Sequence, residues 1–307
     1  MYHLPVSHSP EYADAEDAHY SLAALKWGLQ TLITTNKTLQ LNDVDNKKWL
    51  DVNDHLVPFY VNETGYMIGK DVTLKSSHRH FSHLMQIYLY HLVSLEQPEN
   101  TELIKKSIKH WMGLNKALAG YSYMGASSMS SLLREGNISY DYLNKFLEGH
   151  GTAGGLYAEA GPCFETPPAI ANSILEMLLQ SWGGKINVFP SVPDEWKNIT
   201  FDNLRAEGTF LITACHKKGN TEFIKIKRLQ GGVAVIETDI PQKQVQISGG
   251  GKNNKSLSTL NNKTIIRLAT TKGEEIIIQN SLYKQYRVIE QVAITKYSSN
   301  YWGLKIK

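Results

Sequence analysis

Three histidines and an arginine lie close together in the sequence, at His78, Arg79, His80 and His83. Imidazole and guanidinium groups form hydrogen bonds with hydroxyls and carboxylates, so this cluster is typical of a site that binds a sugar. The spacing would also allow metal chelation, but zinc sites usually recruit a nearby carboxylate or thiolate, and none is near in sequence. In a third interpretation, one or two of these histidines are buried and form hydrogen bonds with backbone groups. We predict that all four residues bind substrate and that no metal is bound.

Two acidic residues from distant parts of the chain are candidates for acid–base chemistry. Glu11 directly follows Pro10, which places it on an extended or turn segment. Glu165 lies just before a Thr-Pro-Pro sequence that opens a predicted helix. Hydrolysis of a glycosidic bond needs two carboxyl groups, one to protonate the leaving oxygen and one to activate water or attack. Taken alone, Glu11 also fits an ordinary surface acid, and Glu165 fits a carboxylate that interacts with a helix N-terminus.

The apolar residues in the first part of the chain recur mostly at helical spacing. They predict seven helices, at 17–35, 42–56, 82–95, 99–119, 122–134, 139–148 and 167–182. The last has a clear start, with Thr166 as N-cap and Pro167 at the first helical position, and we expect Gly183-Gly184 to end it. Segment 82–95 is apolar nearly all round, which predicts a deeply buried helix.

The second part of the chain alternates apolar and polar residues between glycine-containing turns. This pattern predicts short strands at 208–216, 222–228, 233–239, 244–248, 263–268 and 274–279. We therefore predict an α+β multidomain protein. A helical region would span residues 1–190, and an antiparallel β-sandwich domain would span residues 191–307.

The composition excludes several classes of function. The 307 residues carry a formal net charge of only +3 and no run of Lys or Arg exceeds two residues, so we predict no nucleic-acid partner. No stretch approaches the roughly 18 consecutive apolar residues of a membrane span, so we predict no membrane partner. The two cysteines, Cys163 and Cys215, exclude a disulfide scaffold and a Cys-rich zinc module. No secretory signal is visible, and a periplasmic or secreted location would need one in a longer parent.

Three stretches together resemble the C-terminal part of glycoside hydrolase family 95, the α-L-fucosidase and α-L-galactosidase family. They are Ser9-Pro10-Glu11, HRHFSHLMQIY at 78–88, and SILEMLLQSWGGKINVFPSVPDEW at 173–196, which continues into LRAEGTFLI at 204–212. The resemblance implies an (α/α)6 catalytic barrel, incomplete at its N-terminus, followed by a β-sandwich. It also implies inverting hydrolysis of an α-linked L-sugar in a carbohydrate substrate, without a cofactor.

The resemblance also implies roles for individual residues. Glu11 corresponds to the family's general acid, and we expect partial burial to raise the pKa of this carboxyl. Glu165 falls at the position of the family's base, and we expect it to stay ionised. His78 matches a substrate-binding histidine. The family's N-terminal β domain and first barrel helices have no counterpart here, so the predicted partner is a missing N-terminal domain of the same parent protein.

The segment around the predicted base departs from the family pattern. Residues 159–169 read Glu-Ala-Gly-Pro-Cys-Phe-Glu-Thr-Pro-Pro-Ala, where the family has His-Pro-Pro-Phe-Gln-Ile-Asp-Gly-Asn-Phe-Gly. The acid at 165 is therefore one methylene longer, which implies a changed pocket and leaves L-fucose specificity open. Two alternatives also stay open: an inactive carbohydrate-binding remnant, and a disaccharide phosphorylase with an anion site near the histidines.

Overall fold

A computed structural model of the chain describes residues 1–114, 117–152, 157–159, 164–250 and 255–283. The chain forms two compact units. The first, here called the helical unit, comprises Met1–Leu133, Lys145–His150 and Ala158–Ala169. The second, the strand unit, comprises Arg134–Asn144, Gly151–Tyr157 and Ile170–Lys307. The domain boundary after residue 190 stays a prediction.

The described residues contain six α-helices followed by antiparallel-rich sheets, which confirms the α+β class. The helices are α1 (His19–Leu39), α2 (Asn46–His55), α3 (Asn100–Gly113), α4 (Gly120–Leu132), α5 (Gly136–His150) and α6 (Thr166–Leu178). One small hairpin, formed by β1 (Ser7–His8) and β2 (Asp14–Ala15), precedes α1. A second, formed by β3 (Val61–Asn62) and β4 (Gly65–Tyr66), lies between α2 and α3. None of the described helices has the length and apolar character that crossing a bilayer requires.

The third predicted helix, at 82–95, is wrong. The segment forms one short 3-10 turn at Ser82–Leu84 and then further turns. Leu89 and His91 have φ angles of 92° and 49°, and a residue with positive φ cannot continue a right-handed helix. The predicted burial is nevertheless observed, since Leu84 and Ile87 are at most 1% exposed. Hydrophobic content therefore predicted the location of this segment but not its conformation.

The last predicted helix ends earlier than expected, at Leu178. Residues Leu179–Trp182 form strand β5, which pairs antiparallel with β6 at Lys185–Val188. Gly183 and Gly184 have φ angles of 62° and 77°, as the two central residues of a type I′ hairpin turn require. The glycine pair is thus a hairpin turn and not a helix stop.

Two five-stranded sheets make up most of the strand unit. Eight further strands follow β6: β7 (Asn198–Ala206), β8 (Phe210–Lys217), β9 (Asn220–Arg228), β10 (Gly232–Thr238), β11 (Val245–Gly249), β12 (Lys255–Leu260), β13 (Lys263–Thr270) and β14 (Glu275–Asn280). The strand orders are β12-β13-β10-β6-β5 and β11-β14-β9-β8-β7, antiparallel throughout except for β10 beside β6. The six predicted strands each overlap one of these, whereas β5, β6, β7 and β12 were not predicted.

Alternating isoleucines build the core of the strand unit. Ile224 and Ile226 of β9 lie opposite Ile278 and Ile276 of β14, and all four are at most 4% exposed. Because side chains alternate between the two faces of a strand, the intervening Lys225 projects from the other face. One continuous cluster of buried apolar residues draws on strands from both sheets.

A buried carboxylate in β10 provides a test of the strand unit. The Glu237 side chain is 6% exposed and forms ion pairs with Arg134 and with Lys185, the latter at 2.9 Å. Removing one member of a buried ion pair leaves the other charge uncompensated. We expect Glu237→Gln to lower the free energy of unfolding by about 3–5 kcal/mol, measured by urea denaturation.

The matched control is an exposed pair in the same unit. Lys227 and Glu275 lie 3.5 Å apart, with side chains 45% and 51% exposed. Solvent screens such a pair, so Glu275→Gln should change stability by less than about 1 kcal/mol. Equal losses in the two variants would contradict the importance of the buried pair.

Candidate active site

Glu11 lies in a tight turn between β1 and β2. The Tyr12 backbone N–H donates to the Ser9 carbonyl at 2.9 Å, which makes Pro10 and Glu11 the two central residues of a four-residue turn. Proline is favoured at the first of these positions. Glu11 at the second has a φ of 58°, a conformation that favours glycine or asparagine. The turn therefore holds a glutamate in a strained backbone conformation, as functional sites often do.

The segment that carries the histidine cluster is held by side chains. Residues 78–80 belong to no helix or strand, yet each of their three carbonyl oxygens accepts a hydrogen bond. The donors are Trp111 Nε1 to residue 78 at 3.3 Å, Ser122 Oγ to residue 79 at 3.1 Å, and Tyr12 Oη to residue 80 at 2.7 Å. Backbone carbonyls removed from water need such partners, and these bonds fix the path of the loop.

The structure brings three of the predicted site residues to the carboxylate of a fourth, Glu11. His78 Nε2 lies 2.8 Å from Glu11 Oε2, while Arg79 Nη2 and His80 Nε2 lie 3.1 and 3.3 Å from Oε1. The two imidazole rings stack with their centroids 5.2 Å apart. The side chain of Glu11 is 45% exposed, and the other three are 20–28% exposed. A ligand can therefore reach each of these groups.

The pKa of Glu11 differs from the expected one. Partial burial raises the pKa of this carboxyl, but the charges of His80, Arg79 and His78 and the hydrogen bond from His80 lower it more. The net result is a pKa below the ordinary value, so the predicted rise is wrong. Three cationic or hydrogen-bonding neighbours around one exposed carboxylate are the physical reason.

Above its pKa, His78 presents a neutral imidazole to the carboxylate. Its Nδ1 accepts the His80 backbone N–H at 3.4 Å, so its proton lies on Nε2, which donates to Glu11. Burial lowers the pKa of His78, and the negative charge of Glu11 opposes that effect only in part. Arg79 Nε donates to His80 Nε2 at 3.1 Å, and a protonated His80 would instead donate to Glu11.

His83 is placed apart from the other three predicted sugar-binding residues. It is 1% exposed, and neither ring nitrogen has a hydrogen-bond partner among the described residues. The ring packs edge-on against Tyr12 and Trp111, with centroids 5.5 and 6.4 Å away. Burial lowers the pKa of His83 to about 3. We therefore correct the prediction, because a buried imidazole has no surface to offer a sugar.

Glu165 stands directly before α6. Its carbonyl accepts the Ala169 backbone N–H at 3.1 Å, so Glu165, and not the predicted Thr166, is the N-cap residue. An N-cap side chain normally accepts the backbone N–H of the second or third helical residue. Those residues here are Pro167 and Pro168, which have no N–H. The helix therefore offers the exposed Glu165 carboxylate no capping donor at those positions, which weakens its structural interpretation.

Tyr121 connects the surroundings of the two acids. Its ring lies edge-on to His80, with centroids 5.8 Å apart, and stacks on Phe81 at 5.2 Å. Burial, and then the neighbouring Tyr88 and Glu165, raise the pKa of Tyr121 to about 12. The charge of Glu165 therefore affects the pKa of Tyr121, and the Tyr121 ring contacts His80, which lies beside Glu11.

Glu159 is a positioning residue that sequence reasoning missed. Its Oε1 accepts the Tyr121 backbone N–H at 2.9 Å and its Oε2 accepts the Thr166 hydroxyl at 2.7 Å, so it ties the starts of α4 and α6 together. A Cβ at Gly120 would lie 2.6 Å from the Phe146 ring and 2.9 Å from this carboxylate, so the approach requires glycine. No local signal marks the bond from Tyr121 to Glu159, because the two residues lie 38 positions apart in sequence.

Two groups of side chains among the described residues could hold a metal ion. Glu11, His78 and His80 each offer one ligand atom, all within 4.8 Å of one another. The guanidinium of Arg79 already donates hydrogen bonds to His80 Nε2 and Glu11 Oε1, so a positive charge is already present beside this group. The second group is His3, Glu16 and Asp17, where the Lys70 ammonium lies 3.0 Å from Glu16. Each group thus has three side chains that could bind a metal, but a positively charged side chain of the protein already contacts each group.

Comparison with known families identifies both parts of the chain. The model described as "Glycosyl hydrolase family 95 catalytic domain" matches residues 4–178, and "Glycoside hydrolase family 95, C-terminal domain" matches residues 180–278. The helical region with its acid and histidine cluster, and the sheets that follow, thus define a protein of the glycoside hydrolase class. The chain belongs to glycoside hydrolase family 95. No curated protein matches the chain.

Proposed function

We propose that the protein hydrolyses an α-linked L-sugar of the L-fucose or L-galactose type from oligo- or polysaccharide, with inversion. Glu11 acts as general acid and Glu165 as general base, while His78, Arg79 and His80 bind the sugar hydroxyls. The observation that carries this proposal is the accessible Glu11 carboxylate, which His78, Arg79 and His80 contact at 2.8–3.3 Å in a family of glycoside hydrolases.

The proposal includes the finer architecture. The helices form part of an (α/α)6 barrel and the two five-stranded sheets form a β-sandwich. Support for the sandwich comes from the single buried apolar cluster to which strands of both sheets contribute. Support for the barrel comes from the family match over residues 4–178.

A general acid must carry a proton when the substrate is bound, and opposing influences on Glu11 make that attainable. In the free site the neighbouring charges lower its pKa and partial burial raises it. A bound sugar takes hydrogen bonds from Arg79 and the imidazoles and displaces water from the carboxyl. The first change weakens the effect of the neighbouring charges, which lower the pKa of Glu11. The second strengthens the effect of burial, which raises it, so substrate binding shifts the pKa of Glu11 upward.

The defining experiment is a hydrolysis assay on aryl α-L-glycosides, with the first-formed anomer identified by proton NMR. We expect turnover without phosphate and release of the β-anomer, as inversion requires. Release of the α-anomer would contradict the inverting mechanism. Turnover that depends on phosphate would favour a phosphorylase, and sugar binding without turnover would favour an inactive remnant.

Glu165 gives a test of the second carboxylate. We expect Glu165→Gln to lower kcat by about 10²- to 10⁴-fold, because an amide cannot take a proton from the attacking water. Steady-state kinetics on the same aryl glycoside measures the change. Glu148 is an exposed acid on α5, and Glu148→Gln is the control that should keep full activity. Undiminished turnover by the Glu165 variant would remove this residue from the mechanism.

A further inference from the structure

We propose that Tyr12 is a positioning residue that sets the distance between Glu11 and His80. This inference rests on the proposed function of Glu11, because it concerns how the acid is held. Tyr12 is the covalent neighbour of Glu11, and its hydroxyl donates to the His80 carbonyl at 2.7 Å. A single side chain thus joins the turn that carries the acid to the loop that carries the imidazoles.

The surroundings of Tyr12 fix its ring between two histidines. Its ring meets His78 edge-on at 5.9 Å and His83 edge-on at 5.5 Å, with interplanar angles of 75° and 82°. The ring therefore has little freedom to rotate away from the loop. Burial raises the pKa of the Tyr12 hydroxyl, which keeps it protonated as a donor at every working pH.

The other bonds to the loop do not replace this one. Trp111 and Ser122 bond to the carbonyls of residues 78 and 79 from α3 and α4, so these two bonds do not themselves join the loop to the turn. A second tie between the two segments, Ser9 Oγ to Ser82 Oγ at 2.9 Å, lies two residues outside Glu11 and His80. The Tyr12 bond therefore lies closer to Glu11 and His80 than the serine bond does. Glu11 Oε1 and His80 Nε2 are separated by 3.3 Å.

The conformation of Glu11 explains why such a tie is needed. With a φ of 58°, Glu11 occupies a backbone region that non-glycine residues adopt only when the surroundings enforce it. Without the hydroxyl of Tyr12 the turn can relax, and the His80 carbonyl loses its donor. The carboxyl then moves relative to the imidazoles, which affects the chemical step more than the binding of sugar by the histidines and Arg79.

The test compares Tyr12→Phe with Tyr283→Phe, which removes another tyrosine hydroxyl bonded to a backbone carbonyl, that of Lys217 at 3.2 Å in the strand unit. We expect Tyr12→Phe to lower kcat by about tenfold or more while KM changes by less than about threefold, as loss of one buried hydrogen bond at a positioned group predicts. Tyr283→Phe should leave both constants unchanged. Equal small effects of the two variants on kcat would overturn the proposal.

A second readout does not depend on catalysis. Glu11→Gln should shift the His80 ring nitrogen signals in ¹⁵N NMR at fixed pH, because the two groups are in contact. In the Tyr12→Phe background we expect less than half of that shift, and in the Tyr283→Phe background the whole of it. An undiminished shift in the Tyr12 background would reject the positioning role. Absence of hydrolysis by the unmodified protein would instead reject the proposed function, and the NMR comparison would still test Tyr12.

Discussion

The Glu11→Gln variant is expected to hydrolyse glycosides with poor leaving groups about 10³-fold more slowly than the unmodified protein. Glutamine keeps the size of the side chain and one of the two oxygens that accept bonds from His78 and Arg79. It cannot donate a catalytic proton to the leaving oxygen. Steady-state kinetics on an alkyl α-L-glycoside measures the loss.

The leaving group distinguishes an acid from a residue with a structural role. A dinitrophenyl or fluoride leaving group departs without protonation, so Glu11→Gln should retain most of its activity on such a substrate. Glu165→Gln should be slow on both kinds of substrate, because activation of water is needed in each. An equal loss on good and poor leaving groups would show that Glu11 is not the general acid.

The same residue predicts a difference between two pH profiles. The pH dependence of kcat/KM reports the free enzyme, and that of kcat reports the enzyme–substrate complex. The pKa of Glu11 is lowered in the free site, and substrate removes part of that influence. Because the protonated form is active, activity falls as pH rises through this pKa. We therefore expect the alkaline decline of kcat at a higher pH than that of kcat/KM, and coincident declines would contradict the proposed shift.

Acid sensitivity of the fold is the second large effect. Burial lowers the pKa of His19 to about 4 and that of His83 to about 3, against an ordinary value of 6.5. At these two histidines the unfolded chain therefore binds more protons than the folded one below pH 6.5. Stability is fully present above pH 6.5 and is lost as pH falls towards 4. Each buried imidazole contributes a slope of up to about 1.4 kcal/mol per pH unit in that range.

The groups around the two imidazoles support this assignment. His19 Nε2 accepts the Tyr60 backbone N–H at 2.8 Å, which favours the neutral ring. A hydrogen bond with the His83 backbone and the charge of Asp17 raise the pKa of His19, but they offset burial only in part. Around His83, the further imidazoles of His19 and His110 disfavour a positive charge. The two sites are therefore coupled, and protonation of one makes protonation of the other harder.

Urea denaturation between pH 7 and pH 4.5 measures the expected slope. His83→Leu removes one titrating group and should make the dependence shallower, whatever its effect on stability at pH 7. His8, whose side chain is 61% exposed, is the control position, and His8→Gln should leave the slope unchanged. A slope that is the same in all three proteins would show that neither the burial nor the coupling of His83 controls acid stability.

Local pattern predicted much of the fold correctly. Helical spacing predicted six of the helices, and alternation predicted six strands, because these periods follow from backbone geometry alone. The errors arose where a local signal had two meanings. Gly183-Gly184 ends a helix in one context and turns a hairpin in another, and the pairing of β5 with β6 decided between them. The apolar run at 82–95 predicted burial, but positive φ angles at Leu89 and His91 exclude a helix.

The sequence alone determined which residue types are present and where motifs occur, and these sufficed for the family and for the candidates Glu11, Glu165, His78, Arg79 and His80. Only the tertiary structure decided that His83 is buried, and that Tyr12 and Glu159 hold the surroundings of the acids. It also decided the sign of the Glu11 pKa shift. Burial and charge proximity depend on contacts between residues distant in the chain, and local sequence pattern carries no information about those distances.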